Sequence, residues 1–191
     1  MRMPKVNVYD FDKTILPYDS TEAFVRWCAR RYPRAMLRSA AAAPLLPLWA
    51  VGRSSKTEVK QAVFRFLTRI PDVRAEVEEF WRVNLPNIND WYLWQKKPDD
   101  IVISASPEFL LRPAADALGF RLIASRYSPY TGLAEGANND GAEKVRRLRE
   151  AYPDAEIAEF YSDSLHDAPL ARLADCAWLV KGDALAPWPK K

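Results

Sequence analysis

Short apolar runs near both ends of the chain frame a long stretch with a different periodicity. The runs have the length and apolar content of buried strands: residues 5–9, 101–104, 120–125, 156–161 and 176–180. Helical signals separate the last four runs, so strands and helices alternate along that part of the chain. This alternation predicts an α/β fold, a doubly wound, Rossmann-like core around a mostly parallel sheet.

The stretch between the first two runs has helical periodicity. Asp19 or Ser20 is a suitable N-cap, and Glu22 is placed to close a capping box on Asp19. Apolar residues then recur at helical spacing over residues 55–70 and again over 72–85. We therefore expect a helical cap inserted after the first strand. The predicted parts are an α/β core, residues 1–17 and 98–191, and the cap, residues 18–97.

Helix-capping residues and turn residues predict the elements in the second half of the chain. They are a helix from Ser106 and Pro107 to Gly119, a hairpin over residues 126–137, a helix from a capping box of Asp140 and Glu143 to about Tyr152, and a helix over 164–174.

Bulk composition narrows the class of protein. With 49% apolar and 28% charged residues among 191, the chain should fold around one core with an insertion. A net charge of +3 gives no argument for a nucleic acid partner. The start lacks a signal-peptide pattern, and the two cysteines, far apart in sequence, favour buried free thiols over a disulfide. We expect a cytoplasmic protein, with attachment to a membrane surface as the alternative.

Two acidic residues, Asp10 and Asp12, follow the first predicted strand. Side chains two apart on a strand share a face, so these carboxylates should lie close together and repel each other. A divalent cation such as Mg²⁺ or a retained proton would relieve the repulsion, and a carboxylate can attack phosphorus. A surface turn rich in Asp is the alternative. Ser104 and Asp163 follow other predicted strands, at the sheet edge where ligands bind.

Four segments together resemble the motifs of the haloacid dehalogenase superfamily, in the family's order. They are VYDFDKT at residues 8–14, IVISASP around Ser104, GAEKV around Lys144, and YSDSLHD with Asp163 and Asp167. The set is similar to the phosphoserine-phosphatase-like branch, and the insertion has the position and helical character of that branch's C1 cap. The resemblance covers essentially the whole chain and implies a magnesium-dependent phosphatase that acts through an aspartyl-phosphate.

The resemblance also implies roles for the two acids of the first motif. Asp10 would be the nucleophile and a metal ligand. Asp12 would protonate the leaving oxygen and then deprotonate the attacking water, while its backbone carbonyl binds the metal. Dehalogenating members lack an acid at the second position, so Asp12 favours phosphoryl transfer.

The other matched residues would bind phosphate and metal. Ser104 would donate to a phosphoryl oxygen, and Lys144 would offset the negative charge between nucleophile and phosphate. Asp163 would complete the Mg²⁺ site, with Thr14 and Asp167 in support. Taken singly, each has a plainer interpretation: Ser104 as a strand end, Lys144 as an exposed helix residue, Asp167 as a capping partner of Ser164.

The sequence of the insertion does not identify the substrate. Arginines 26, 30, 31, 34 and 38 precede the apolar stretch 39–51, which contains Trp49. Such a pattern is found in membrane-surface elements and resembles the caps of phosphatidylglycerophosphate phosphatases. A helical cap that packs its own small core, with its arginines in solvent, is the favoured explanation, because apolar helix faces are usually core. A small phosphorylated metabolite and a lipid phosphate are both candidate substrates, with membrane contact through the cap in the second case. The alternative function is a non-catalytic membrane-surface or protein-binding module on the same fold.

Overall fold

The structure, a computed structural model, describes residues 5–189, except the side chain of Leu46. Its centre is one sheet of six strands in the order β3-β2-β1-β4-β5-β6. The first five strands are parallel to their neighbours, and β6 runs antiparallel to β5. The strands are β1 (Val6–Tyr9), β2 (Ile101–Pro107), β3 (Arg121–Ser125), β4 (Ile157–Ser162), β5 (Ala174–Lys181) and β6 (Ala184–Pro187). The predicted doubly wound α/β fold is confirmed.

Eight helices are present in the described part of the chain. They are α1 (Ser20–Arg31), α2 (Leu45–Ala50), α3 (Lys56–Phe64), α4 (Val73–Asn84), α5 (Asp90–Gln95), α6 (Glu108–Leu118), α7 (Ala142–Ala151) and α8 (Ala168–Ala171). Four 3₁₀ segments accompany them: Ala35–Ala42, Arg65–Arg69, Leu85–Asn87 and Leu165–Asp167. The described elements between β1 and β2 are thus helical, as expected for the insertion; its division from the core at residues 18 and 97 stays a prediction.

Two hydrophobic clusters cover the two faces of the sheet, because successive strand residues point to opposite sides. Val6 and Val8 of β1 pack in one cluster with Leu148 of α7 and Leu170 of α8. Tyr9 belongs to the other cluster, which contains α6 and extends into the insertion. The carboxyl ends of β1, β2 and β4 therefore lie side by side at one edge, between two covered faces.

The insertion shares the larger of the two clusters. Phe24 of α1 and Phe80 of α4 meet edge to face, with ring centroids 5.5 Å apart. Trp81 packs edge to face against Phe11 at 5.7 Å, and its indole nitrogen donates to the carbonyl of Leu110 at 2.5 Å. The insertion is therefore joined to the core by buried aromatic packing as well as by the chain.

Several predicted boundaries differ from the structure. Ser106 and Pro107 end β2 instead of opening a helix, and α6 begins at Glu108; Gly119, in the left-handed region, ends α6 as expected. Asp19 caps α1 by accepting from the amide of Glu22, which is half of the predicted box within the described residues. The N-cap of α7 is Gly141, at φ 56°, without a side-chain cap bond. Asp140 lies one residue before this N-cap, and its carboxylate forms an ion pair with Lys56.

Other expectations from the sequence overstated the length of an element or missed an element. The helix expected over 164–174 is one 3₁₀ turn followed by the short α8, and the hairpin expected over 126–137 has a single bridge, Tyr127 to Ala134. Strand β6 was missed, although Gly182 and Asp183 form the kind of two-residue turn that joins antiparallel strands. Both cysteines are free, but Cys176 is exposed rather than buried. Across residues 5–189, every helix is too short or too polar to cross a bilayer.

Candidate active site

A sharp turn after β1 presents the two acids of the first motif. The amide of Asp10 donates to the carbonyl of Tyr161 at 2.8 Å and so continues the β1–β4 pairing by one residue. The chain then bends so tightly that the amides of residues 14–16 all reach the carbonyl of Phe11. Lys13, at φ 57°, adopts a left-handed conformation that is uncommon outside glycine. The buried Phe11 ring anchors this turn in the core.

Lys144 connects two of the predicted acids. Its ammonium nitrogen lies 2.6 Å from Oδ1 of Asp10 and 2.7 Å from Oδ2 of Asp167, and its side chain is 3% exposed. Ser162, at the end of β4, donates to the same Asp167 oxygen at 2.8 Å. Lys144 is therefore a buried, doubly paired cation, which rules out its interpretation as an exposed helix residue. The Asp167 carboxylate faces Lys144, while it is Ser164's own side chain that caps the following turn.

The pKa values of Asp10 and Lys144 are both raised, for different reasons. Burial raises the pKa of Asp10, and the neighbouring carboxylates of Asp167 and Asp12 raise it further, against the effect of Lys144. Burial lowers the pKa of Lys144, but its contacts with the two carboxylates outweigh burial and raise that pKa above its usual value. Lys144 is thus held in its charged form.

Asp12 is held by hydroxyl and amide donors. Its Oδ1 accepts from the amide of Ser20 at 2.6 Å, while Oδ2 accepts from the hydroxyls of Ser106 at 2.5 Å and Ser104 at 3.4 Å. Burial raises the pKa of Asp12, and repulsion from Asp19 adds to the rise. An acid with a raised pKa in the same cavity as Asp10 is suited to give and take a proton.

Asp163 is placed by Thr14. The hydroxyl of Thr14 accepts from the backbone amide of Asp163 at 3.0 Å, and the Thr14 carbonyl accepts from the side chain of Asn89 at 2.7 Å. Thr14 is fully buried and so ties the turn after β1 to the loop after β4. Burial raises the pKa of Asp163, and Lys13 opposes that rise.

One cavity of about 400 Å³ joins these residues. Asp10, Asp12, Lys144, Asp163 and Asp167 all line it. Ser104 and Thr14 lie behind the cavity wall: the Ser104 hydroxyl contacts Asp12 and accepts from the amide of Ser106 at 3.0 Å. The convergence on one cavity is the arrangement that the motif order predicts; the chemical role of each residue stays a prediction.

Some residues at this site were missed by sequence reasoning. Ser106 lines the cavity and bonds Asp12, but its position before a proline suggested a helix start. Asn139 donates to the carbonyls of Ser104 and Ile123, both at 3.0 Å, and so fixes the ends of β2 and β3. Lys60 of the insertion also lines the cavity. Nothing in the α3 sequence distinguishes Lys60 from Lys56, since both lie in a polar stretch of the helix.

The donor set of the cavity fits a hard divalent cation. Seven acidic residues line it against three lysines: Asp10, Asp12, Asp19, Glu22, Asp140, Asp163 and Asp167 against Lys13, Lys60 and Lys144. Bound Mg²⁺ would reduce the resulting repulsion, and carboxylate and carbonyl oxygens are its usual ligands. Over residues 5–189, no three acidic, histidine or cysteine side chains form a ready-made metal cluster. The set of Mg²⁺ ligands that the family resemblance implies contains fewer side chains. It consists of two carboxylates and the backbone carbonyl of Asp12.

Comparison with known proteins agrees with this geometry. The model of the haloacid dehalogenase-like hydrolase family matches residues 8–172, which include all four motifs. The chain belongs to this family. The range matched by the model of these hydrolases contains Asp10, Asp12, Ser104, Lys144 and Asp163.

The individual proteins compared with this chain share 15–29% sequence identity with it. Protein CicA of Caulobacter vibrioides is 29% identical over 188 residues, covering 90% of this chain and 84% of that protein. A protein of unknown function from Bordetella pertussis Tohama I is similar in structure, with a TM-score of 0.70, 24% identity, and coverage of 89% of this chain and 86% of that one. A phospho-aspartyl intermediate analogue of phosphoserine phosphatase gives a TM-score of 0.58 at 15% identity, covering 92% and 86%. This hydrolase thus shares its fold with phosphoserine phosphatases.

Proposed function

We propose that this hydrolase is a magnesium-dependent phosphomonoesterase that uses Asp10 as its covalent nucleophile. The observation that carries the proposal is the pairing of Asp10 with the buried Lys144 in the wall of a cavity that Asp12 also lines. Lys144 engages Oδ1 of Asp10, which leaves Oδ2 for attack on phosphorus. Phosphoryl transfer needs positioning and charge neutralisation more than covalent chemistry from the protein, and this site provides both.

The reaction has two steps. Oδ2 of Asp10 forms a bond to phosphorus as the ester bond to the leaving oxygen breaks, and Asp12 gives its proton to that oxygen. Water then attacks the aspartyl-phosphate, Asp12 takes a proton from it, and phosphate leaves with Asp10 restored. The raised pKa of Asp12 suits this double use. Transfer to an acceptor other than water would use the same residues and yield a phosphorylated product instead of free phosphate.

Mg²⁺ would be held by the carboxylates of Asp10 and Asp163 and the backbone carbonyl of Asp12. When bound, it would neutralise charge on the phosphoryl oxygens. Asp167 and Thr14 would support it indirectly, through Lys144 and through the backbone of Asp163. Ser104 would donate to a phosphoryl oxygen after turning from Asp12, and residues 18–97 would act as a cap over the core formed by 1–17 and 98–191.

The substrate we propose is a small phosphorylated metabolite. The fold shared with phosphoserine phosphatases and a cavity of about 400 Å³ support this class. Asp19, the N-cap of α1, and Thr21 and Glu22 of α1 also line the cavity, and they supply polar contacts from the insertion. A free amine or hydroxyl on the substrate would suit such acceptors.

Phosphate release from p-nitrophenyl phosphate with and without MgCl₂ tests the proposal. Asp10→Asn keeps the shape of the side chain and should lower turnover at least about a thousandfold, while EDTA should abolish it in the parent protein. Asp116→Asn, an exposed change on α6, is the matched control and should leave turnover intact. Full activity of Asp10→Asn would exclude the nucleophile, and a folded parent without phosphate release would favour the non-catalytic alternative.

A specific surface favours a second candidate, a lipid phosphate substrate with membrane contact. Leu37 is 76%, Val51 69% and Trp49 45% exposed, all in the insertion. A neighbouring cavity of about 670 Å³ is lined by four arginines, 31, 34, 38 and 69, without an acidic residue. Exposed apolar groups beside clustered arginines match the pattern of membrane-surface elements that bind anionic lipids.

Vesicle sedimentation distinguishes this candidate. Vesicles with phosphatidylglycerol should retain the protein and vesicles of phosphatidylcholine alone should not. Trp49→Ser combined with Arg34→Gln should reduce retention while hydrolysis of a soluble substrate is unchanged. Equal recovery with both vesicle types, or in their absence, would dismiss membrane contact.

A further inference from the structure

Lys60 reaches from the insertion to the core at the candidate active site. Its ammonium nitrogen donates to the backbone carbonyl of Ala105 at 2.8 Å and to Oδ1 of Asn138 at 2.9 Å. Ala105 lies between the two serines that bond Asp12, and Asn138 precedes the asparagine that holds the end of β2. The position of Lys60 is therefore set by the same loops that shape the cavity.

The partners of Lys60 differ from those of the neighbouring lysines. Lys144 contacts two carboxylates, and Lys56, one helical turn before Lys60, is paired with Asp140. Both partners of Lys60 are neutral carbonyl oxygens, and the described residues form no ion pair with it. Its positive charge is thus not matched by a carboxylate in direct contact, although the side chain is half-buried.

A cation that lines this cavity and has no carboxylate in direct contact is suited to bind a substrate anion. An ammonium group has three donors, and two of those on Lys60 are used by Ala105 and Asn138. Lys60 and Asp10 line the same cavity, so a phosphoryl group brought to Asp10 enters the field of Lys60. Desolvation lowers the pKa of Lys60, and the charges of Asp12, Asp19 and Asp140 oppose that shift without fully offsetting it.

We propose that Lys60 is a substrate-binding residue that donates its third hydrogen to a phosphoryl oxygen of the ester held at Asp10. The insertion would thereby supply a second lysine to the phosphate, in addition to the core's Lys144. The same contact would make phosphate binding strengthen the attachment of α3 to the core. This inference rests on the proposed phosphatase function, but its test does not need turnover.

The test is calorimetric titration of inorganic phosphate, in the presence of MgCl₂, into the protein and its variants. Lys60→Met removes the charge but keeps the apolar stem, and it should weaken phosphate binding about 10- to 100-fold, the loss expected for one hydrogen bond to a charged group. Lys60→Gln should behave alike and replaces the Met variant if that one does not fold. Lys60→Arg retains the charge and should lose less than either.

Two control variants separate substrate binding from a structural role. Lys97→Met removes an exposed lysine that does not line the cavity and should bind phosphate like the parent. Asn138→Ala removes one partner of Lys60 but not its charge, and it should weaken phosphate binding less than Lys60→Met does, since the ammonium remains. Parent-like binding by Lys60→Met, or an equal loss in Lys97→Met or Asn138→Ala, would overturn the inference.

Turnover then tells the two proposals apart. If the parent hydrolyses p-nitrophenyl phosphate, Lys60→Met should raise KM and the inhibition constant for phosphate more than it lowers kcat. If the parent binds phosphate through Lys60 without hydrolysing any ester, the proposed function fails and the binding role of Lys60 stands.

Discussion

The helical insertion has two regions that meet the rest of the protein differently. The inner helices, α1, α4 and α5, pack in one hydrophobic cluster with the sheet: Phe24, Phe80 and Trp81 are all at least 97% buried. The outer segment, residues 35–53, consists of a 3₁₀ stretch, α2 and a turn, and it exposes Leu37, Trp49 and Val51. The same insertion thus contains a part that is core and a part that is surface.

This difference limits how the insertion can move. Lifting the inner helices would expose the aromatic contacts of Trp81 and Phe24 to water, at the cost of apolar burial of about 25 cal/mol per Å². The outer segment has no comparable contacts with the sheet among the described residues. We therefore expect movement that admits substrate, or contact with a partner, in the outer segment, while the inner helices stay with the core.

The largest effect should come from removing an inner aromatic side chain. Trp81→Ala deletes a fully buried ring and leaves the carbonyl of Leu110 without its donor, and it should lower the free energy of unfolding by about 3–5 kcal/mol. Trp49→Ala in the outer segment should change it by less than about 0.5 kcal/mol. Urea unfolding measures both. Similar losses in the two variants would show that the outer segment is also part of the core.

A smaller effect should follow from crowding the contact between α3 and the loop after β3. Gly132 and Gly52 share φ 73°, but a Cβ on Gly132 would lie 2.5 Å from the carbonyl oxygen of Phe64, whereas Gly52 has open space. Both changes place a Cβ on a residue with the same positive φ, so the steric clash is the main difference between them. Gly132→Ala should be less stable than Gly52→Ala by about 1–3 kcal/mol in urea. Equal values would mean that α3 yields easily and is not firmly docked.

The smallest effect concerns the buried carboxylate that joins α1 to α4. Glu76 accepts from Trp27 at 3.0 Å, Tyr32 at 2.7 Å and Arg31 at 2.9 Å. Burial raises the pKa of Glu76, but these three donors outweigh it and hold the pKa below its usual value. Glu76→Gln should therefore cost about 1 kcal/mol near neutral pH.

The pH dependence of the stability difference between the parent and Glu76→Gln tests whether the charge of Glu76 causes the effect. Because the folded pKa of Glu76 lies below the unfolded one, its contribution is present above the unfolded pKa and is lost as pH falls through the folded value. The stability difference between the parent and Glu76→Gln should thus shrink on acidification from neutral pH to below 4. A difference that is constant over this range would assign the effect to shape rather than charge.

Several local features followed from the sequence because neighbouring residues decide them. Asp19 caps α1 and Gly119 ends α6, since a short polar side chain and a residue without Cβ suit those positions wherever they occur. The start of α7 was misread: its N-cap is Gly141, and the carboxylate of Asp140 pairs with Lys56, which is distant in sequence.

The sequence by itself determined the α/β fold, the helical insertion and the acids at the strand ends, because strand periodicity and ordered motifs are local patterns. Only the tertiary structure decided that Lys144 sits between Asp10 and Asp167, that Ser106 bonds Asp12, and that Lys60 reaches the same cavity. Such contacts join residues far apart in the chain. They depend on how helices dock on the sheet, which is set by packing that no local window contains.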